Sequence, residues 1–135
     1  MKILVDTNVL LDVLCSREGF VADSAKVWKY CELKEAQGYI SALSIPNIVY
    51  ILRKELSPER ASEIIEQLFL IFSVVDLRSD DLRKAALMQF SDYEDALQSA
   101  AAERIEADFI VTRNIKDFKG SKVTAIKPSE FLERI

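Results

Sequence analysis

Three polar clusters in this sequence hold residues able to do chemistry: Asp6-Thr7-Asn8, Asp92-Tyr93-Glu94-Asp95, and Thr112-Arg113-Asn114-Ile115-Lys116-Asp117-Phe118. Each follows an apolar run or opens an apolar-periodic stretch. Asp92 and Asp95 are three apart, so on a helix they share a face while Glu94 points elsewhere. Asn114 and Asp117 have the same spacing. Asp95 precedes Ala96 and Leu97, which read as core, and a carboxylate at the inner edge of a buried helix is costly unless paired or metal-bound. Brought together, Asp6, Asp95 and Asp117 make a hard-oxygen site with Asn114 as a neutral ligand or positioner. The chemistry of such a site is that of Mg²⁺ or Mn²⁺.

Each acid also has a bland reading. An Asp after a strand is often a cap or turn former, and Asp92 reads as a helix cap. Asp12 reads as a solvated helix residue and Glu94 as surface. Lys116, Lys119 and Lys122, near Arg113, are either a solvated loop or contacts to a phosphate chain. What raises the acids above this is that three clusters point to one sheet edge.

Composition narrows the chemistry further. The chain of 135 residues has no histidine, which removes Ser-His-Asp and Cys-His nucleophiles and His-ligated zinc. The two cysteines, Cys15 and Cys31, lack metal-ligand or redox spacing and read as buried thiols of a reducing cytoplasm. Net charge is −4, so nucleic acid cannot be held by bulk charge and needs local basic groups or metal ions. No apolar run is long enough for a bilayer, and Asp6 and Asp12 interrupt what would be the apolar part of a signal peptide. The length and the lack of linkers predict one domain over residues 1–135.

The elements that must position these clusters alternate between strand and helix patterns. Ile3-Leu4-Val5 is too short for a helix and reads as a strand buried on both faces. A short helix follows, capped by Thr7 or Asn8, and Arg17-Glu18-Gly19 breaks it. A second helix runs from about Ala22 to Ala36, with Trp28 as a packing residue and Gly38 as terminator. Tyr39–Ala42 is a brief strand, Ser44 caps a helix with Pro46 in its first turn, and Ser57-Pro58 opens another. Phe72–Leu77 turns β-like, Ser79-Asp80-Asp81 starts a helix through about Met88, and Ser91 or Asp92 starts the next, with a small-residue face. Ala107–Val111 and Val123–Ile126 are strands, and Pro128 opens a terminal helix. Strands alternating with helices imply a three-layer α/β/α sandwich around a central parallel sheet. Ligands of such sheets bind beyond the carboxyl ends of the strands, where Asp6 lies.

Asp6-Thr7-Asn8 after an initial strand, Glu94-Asp95-Ala96 opening a small-residue helix, and Ile110-Val111-Thr112-Arg113-Asn114 followed by Asp117-Phe118 resemble the PIN domain, in particular single-domain VapC-type toxins. The resemblance covers essentially the whole length. It implies a metal-dependent endoribonuclease acting on single-stranded RNA, with acids at the sheet edge holding one or two Mg²⁺ or Mn²⁺ ions. It carries over Asp6, Asp95 and Asp117 as catalytic and metal-binding acids, and Asn8, Thr112 and Asn114 as polar support. It also implies a cognate antitoxin and a homodimer, the latter consistent with helices richer in apolar surface than one small sheet can cover.

Two positions depart from the family pattern. Asn47 stands where a Glu is usual, and Asn114 where many members have Asp. Fewer negative ligands weaken divalent-metal binding. The alternative is therefore a PIN-like module with a weakened site that binds RNA or protein. A phosphatase of the haloacid dehalogenase type wants a second Asp where this chain has Asn8, and a receiver domain wants acids and a Lys that Asp12 and Lys127 are poorly placed to supply.

Overall fold

The computed structural model describes residues 1–135. Five strands, β1 (Lys2–Val5), β2 (Gln37–Ser41), β3 (Ser73–Val75), β4 (Phe109–Val111) and β5 (Ala125–Ile126), form one sheet in the order β3-β2-β1-β4-β5. Every pairing is parallel, with Ile3 opposite Gly38 on one side and Phe109 on the other. The seven helices are α1 (Thr7–Leu14), α2 (Val21–Glu32), α3 (Ser44–Leu52), α4 (Pro58–Ile71), α5 (Ser79–Leu87), α6 (Tyr93–Arg104) and α7 (Pro128–Arg134). The expected three-layer α/β/α sandwich is the observed architecture.

Strand alternation sorts the core into two sides. Ile3, Val5 and Val111 pack with Val9, Leu10, Val27, Ile48, Leu68 and Phe131, which come from α1, α2, α3, α4 and α7. Leu4 and Ile110 point the other way, onto Ala101 and Ala102 of α6 and onto Phe118. Ile3, Leu4 and Val5 are at most 1% exposed, and each such side chain contributes about 1.5–3 kcal/mol by leaving water. Helix α6 is buried at every position from Ala96 to Ala102. Its four alanines let it lie close to the sheet, while Ala96 and Leu97 pack with Ala85 of α5.

Several local expectations need correction. Helix α2 ends at Glu32, and the left-handed turn after it is made by Lys34 (φ 61°) rather than by Gly38. Gly38 lies within β2, where a Cβ would meet Cys31 Sγ at 2.6 Å and the Phe72 ring at 2.9 Å. It is a glycine of close approach, not of helix termination. Asp6, not Thr7 or Asn8, occupies the cap position of α1, and Leu43 that of α3. Ser57 and Asp92 do cap: Ser57 accepts from the Arg60 amide, and Asp92 from those of Glu94 and Asp95. Trp28 packs on the core, its ring edge-on to Phe72 at 5.3 Å. Cys31 is buried but Cys15 is exposed, so only one thiol belongs to the interior. No helix is long and apolar enough to cross a membrane.

Candidate active site

The strand order reverses between β1 and β4, and the crevice of an open α/β sheet forms where it does. Asp6 leaves the carboxyl end of β1 and Thr112 that of β4. The two ends are stitched together: the Asp6 amide donates to the Val111 carbonyl at 3.0 Å, and the Thr112 hydroxyl donates to Asp6 Oδ2 at 2.9 Å. The Asn114 amide donates in turn to Thr112 Oγ1 at 3.1 Å. Asp6 is thus held on rigid backbone, 5% exposed, with its carboxylate orientation set by Thr112.

A cleft of about 470 Å³ opens above this point. Asp6 lines it from the cap of α1 and Asn8 from its first turn, Asn47 from α3, and Asp95 from the first turn of α6. Asn114 lines it from the start of the 3-10 turn (Ile115–Phe118) after β4, and Asp117 from within that turn. Six of the sequence-derived site residues therefore share one cavity, and Thr112 lies beneath it. Arg113 and Lys116 do not line it. Arg113 turns away to buried Asp12, with Nε 3.1 Å from Oδ2, and its guanidinium lies 4.0 Å from the centre of the Phe20 ring. Arg113, expected as a phosphate contact, is engaged in this internal pairing, and Lys116, expected likewise, is exposed on the outer side of the turn.

Asp12 itself reverses expectation. It is 0% exposed, contacts Arg113 and Arg17 and accepts a hydrogen bond from Ser24 Oγ at 3.2 Å. Its Oδ1 and Arg113 Nε lack hydrogen-bond alignment, so those contacts are chiefly Coulombic. Arg17 also donates to Asn8 Oδ1 at 3.4 Å, linking this pair to the cleft wall.

The cleft holds residues that the sequence did not flag. Gln98, one turn beyond Asp95 and 3% exposed, donates through Nε2 to Thr7 Oγ1 at 3.2 Å and to Ser44 Oγ at 3.4 Å. The Thr7 and Ser44 hydroxyls lie 2.6 Å apart. This knot ties together α1, α3 and α6, the helices that carry Asn8, Asn47 and Asp95. Glu94 and Asp92 line the cleft rather than facing away, and Tyr50 and Lys54 form its rim. A polar residue at a core-facing helical position, as at Gln98, was the available signal.

Electrostatically the cleft is strained. Burial pushes the Asp6 carboxyl up, against the Thr112 hydrogen bond, the Thr7 amide and the charge of Arg113, while Asp117 adds repulsion. Asp95 is pushed up to about 7, first by burial and then by Asp92, Asp6, Asp117 and Glu94. Such mutual repulsion is what a bound divalent cation relieves. The donor set is oxygen only, which suits Mg²⁺ or Mn²⁺. No three of the acids converge closely enough to enclose an ion by themselves. The residues therefore fit an ion held by one or two carboxylates, the remaining positions being left to water or substrate, as Mg²⁺ prefers.

A doubly wound parallel sheet with acids gathered at its switch point defines an α/β protein whose ligand is met by loops at the strands' carboxyl ends. A sequence profile described as the PIN domain matches residues 2–116, and the chain belongs to that family. Solved structures share the fold. FitAcB from Neisseria gonorrhoeae is 18% identical with a TM-score of 0.71, covering 94% of this chain and 98% of its own. A toxin–antitoxin complex from Klebsiella pneumoniae is 22% identical at 0.69, covering 93% and 97%. VapC20 from Mycobacterium tuberculosis, described as a sarcin–ricin loop cleaving toxin, is 14% identical at 0.63, covering 80% and 86%. At these identities the likeness establishes the fold. No curated protein matches the sequence significantly.

Proposed function

We propose that this protein is a metal-dependent endoribonuclease acting on single-stranded RNA, and the toxin half of a toxin–antitoxin pair. The observation that carries this reading is the meeting of Asp6, Asp95 and Asp117 in one oxygen-lined cleft at the switch point of a PIN-family sheet. The toxin–antitoxin complexes among the similar structures support the partner.

In phosphodiester hydrolysis water adds to phosphorus, one P–O ester bond breaks, and a proton must be taken from the water and another given to the leaving oxygen. A divalent ion supplies positive charge at the phosphate when bound. Asp6, oriented by Thr112, and Asp117, which lines the same cleft, would hold that ion. Asp95 faces the same cleft from the first turn of α6, and the ion that relieves its repulsion with Asp6 and Asp117 would favour its charged form. Asn8, Asn47 and Asn114 orient water or phosphate oxygens without adding repulsion.

The test is cleavage of a labelled single-stranded RNA with Mn²⁺ or Mg²⁺. Wild-type protein should cleave, EDTA should stop it, and Asp6→Asn and Asp95→Asn should each reduce it to background. Cleavage that survives both substitutions overturns the reading. The second reading is a non-catalytic PIN-like module, favoured by the neutral Asn47 and Asn114 and by the absence of a closed carboxylate cage. It predicts RNA or partner binding indifferent to EDTA and to Asp6→Asn.

A further inference from the structure

The rim of the cleft carries a pair of residues that the acids do not use. Lys54 is the only cation among the lining residues and Tyr50 the only aromatic one, against five acids. They are four residues apart, on α3 and the turn that ends it. The Lys54 ammonium lies 4.8 Å from the centre of the Tyr50 ring. Tyr50 is 68% exposed, a large value for an aromatic ring beside a polar cavity. Lys54 takes part in none of the chain's ion pairs. The segment beneath is rigid: Ile48 and Leu52 are buried in the core, and Ser44 is tied to Thr7 and Gln98.

We infer that Tyr50 and Lys54 form a nucleotide clamp, in which a base next to the reacting phosphate stacks on Tyr50 while its phosphodiester pairs with Lys54. The inference rests on the nuclease reading above and adds to it the residues that select a single strand. Lys54 lies over one face of a ring that is otherwise exposed, so the opposite face and the unpaired ammonium are complementary to a base face and its phosphate. In a duplex the base faces are already stacked on their neighbours, so only an unpaired nucleotide can use the ring. A basic peptide would meet repulsion from Lys54 at the same place. The clamp also supplies the local positive charge that a chain of net charge −4 needs beside its acids.

The experiment is fluorescence anisotropy with a labelled oligoribonucleotide of mixed sequence, single-stranded and annealed to its complement, in Ca²⁺. Tyr50→Ala should weaken single-strand binding about fivefold or more, while Tyr50→Phe, which keeps the ring, should stay within about twofold of wild type. Duplex binding should not change in either variant. Lys54→Ala should reduce the slope of log affinity against log salt by about 0.7. Tyr50→Ala binding the single strand as wild type does, or losing single strand and duplex alike, overturns the clamp. So does light scattering in which Tyr50→Ala alters the oligomeric state, since a copy of the chain or another protein would then own this face. Cleavage in Mn²⁺ is measured beside it. Wild-type cleavage that Asp6→Asn abolishes and Tyr50→Ala spares removes the clamp and leaves the nuclease. A wild type that binds the strand through Tyr50 but never cleaves removes the nuclease and leaves the nucleotide site.

Discussion

Two groups of acids lie at the carboxyl ends of the strands, and they are treated in opposite ways. Asp12 has Arg113 and Arg17 beside it and a hydroxyl from Ser24, and on the far side of the sheet Asp81 is met by Arg104 at 2.9 Å. Arg104 also reaches Asp76, joining the end of α6 to the approach of α5. Asp6, Asp95 and Asp117 have no arginine or lysine in ion-pair contact, only hydroxyls, amides and one another. A buried carboxylate with its own cation is a structural joint, and one left to neighbours of like charge is available for chemistry. Arg113 marks the border, since it neutralises Asp12 and still lowers the proton affinity of Asp6.

The contrast breaks most visibly in activity. Asp6→Asn should cost at least about 10²- to 10³-fold in RNA cleavage, the scale of losing one preorganised electrostatic group. Its stability should be unchanged or higher, because the substitution removes a desolvated charge. Asp12→Ala should do the reverse in a urea titration, lowering stability by about 3 kcal/mol by stranding two arginines beside a buried void. An Asp12→Ala protein as stable as wild type would erase the distinction between the two groups. Arg104→Ala should lower stability by about 1.5–3 kcal/mol through the loss of charged hydrogen bonds to buried Asp81, with cleavage kept. Urea midpoints together with a cleavage assay check it.

The smallest expected effect is a pH slope. In the metal-free protein Asp95 holds its proton up to about 7, well above an unfolded aspartate. The folded state therefore binds more protons across the interval from about pH 4 to 7. Its contribution to stability is full below that interval and lost as pH rises through it, and Asp6 shifts in the same direction. Denaturation midpoints in EDTA should fall between pH 5 and 8, flatten in Asp95→Asn, and recover most with Mn²⁺ at the alkaline end. Midpoints that rise over the same range would place Asp95 outside the strained group.

What was legible in the sequence follows from the range of the forces. Ile3-Leu4-Val5, the Ser57-Pro58 helix start and the Asp92 cap are local, and so are the signals that singled out the acids: the apolar run before Asp6, the core residues Ala96 and Leu97 after Asp95, and the three-residue spacing of Asn114 and Asp117. Asp12 looked solvated because its closer partner, Arg113, is about a hundred residues away, and Arg17, five residues on, read only as part of the helix break. The same contact removed Arg113 from the cleft rim. Gly38 looked like a terminator because its real constraint, the Cys31 and Phe72 side chains pressed against it, exists only after α2 and α4 have docked. Gln98 drew no reading from the sequence because its partners Thr7 and Ser44 come beneath it only in the fold.

The hydrogen bond from Thr112 to Asp6 joins residues separated by 106 positions. Strand β4 must pair with β1 before Asp6 has its orientation, and Asp95 and Asp117 arrive on either side of that strand. Long-range parallel pairings are among the later events in folding. During synthesis the amino-terminal half can collapse around β1, β2 and β3 while the three acids remain far apart. A chain emerging from the ribosome therefore carries its three acids apart until β4 closes the sheet, and the order of its strands delays the assembly of the cleft to the end of synthesis.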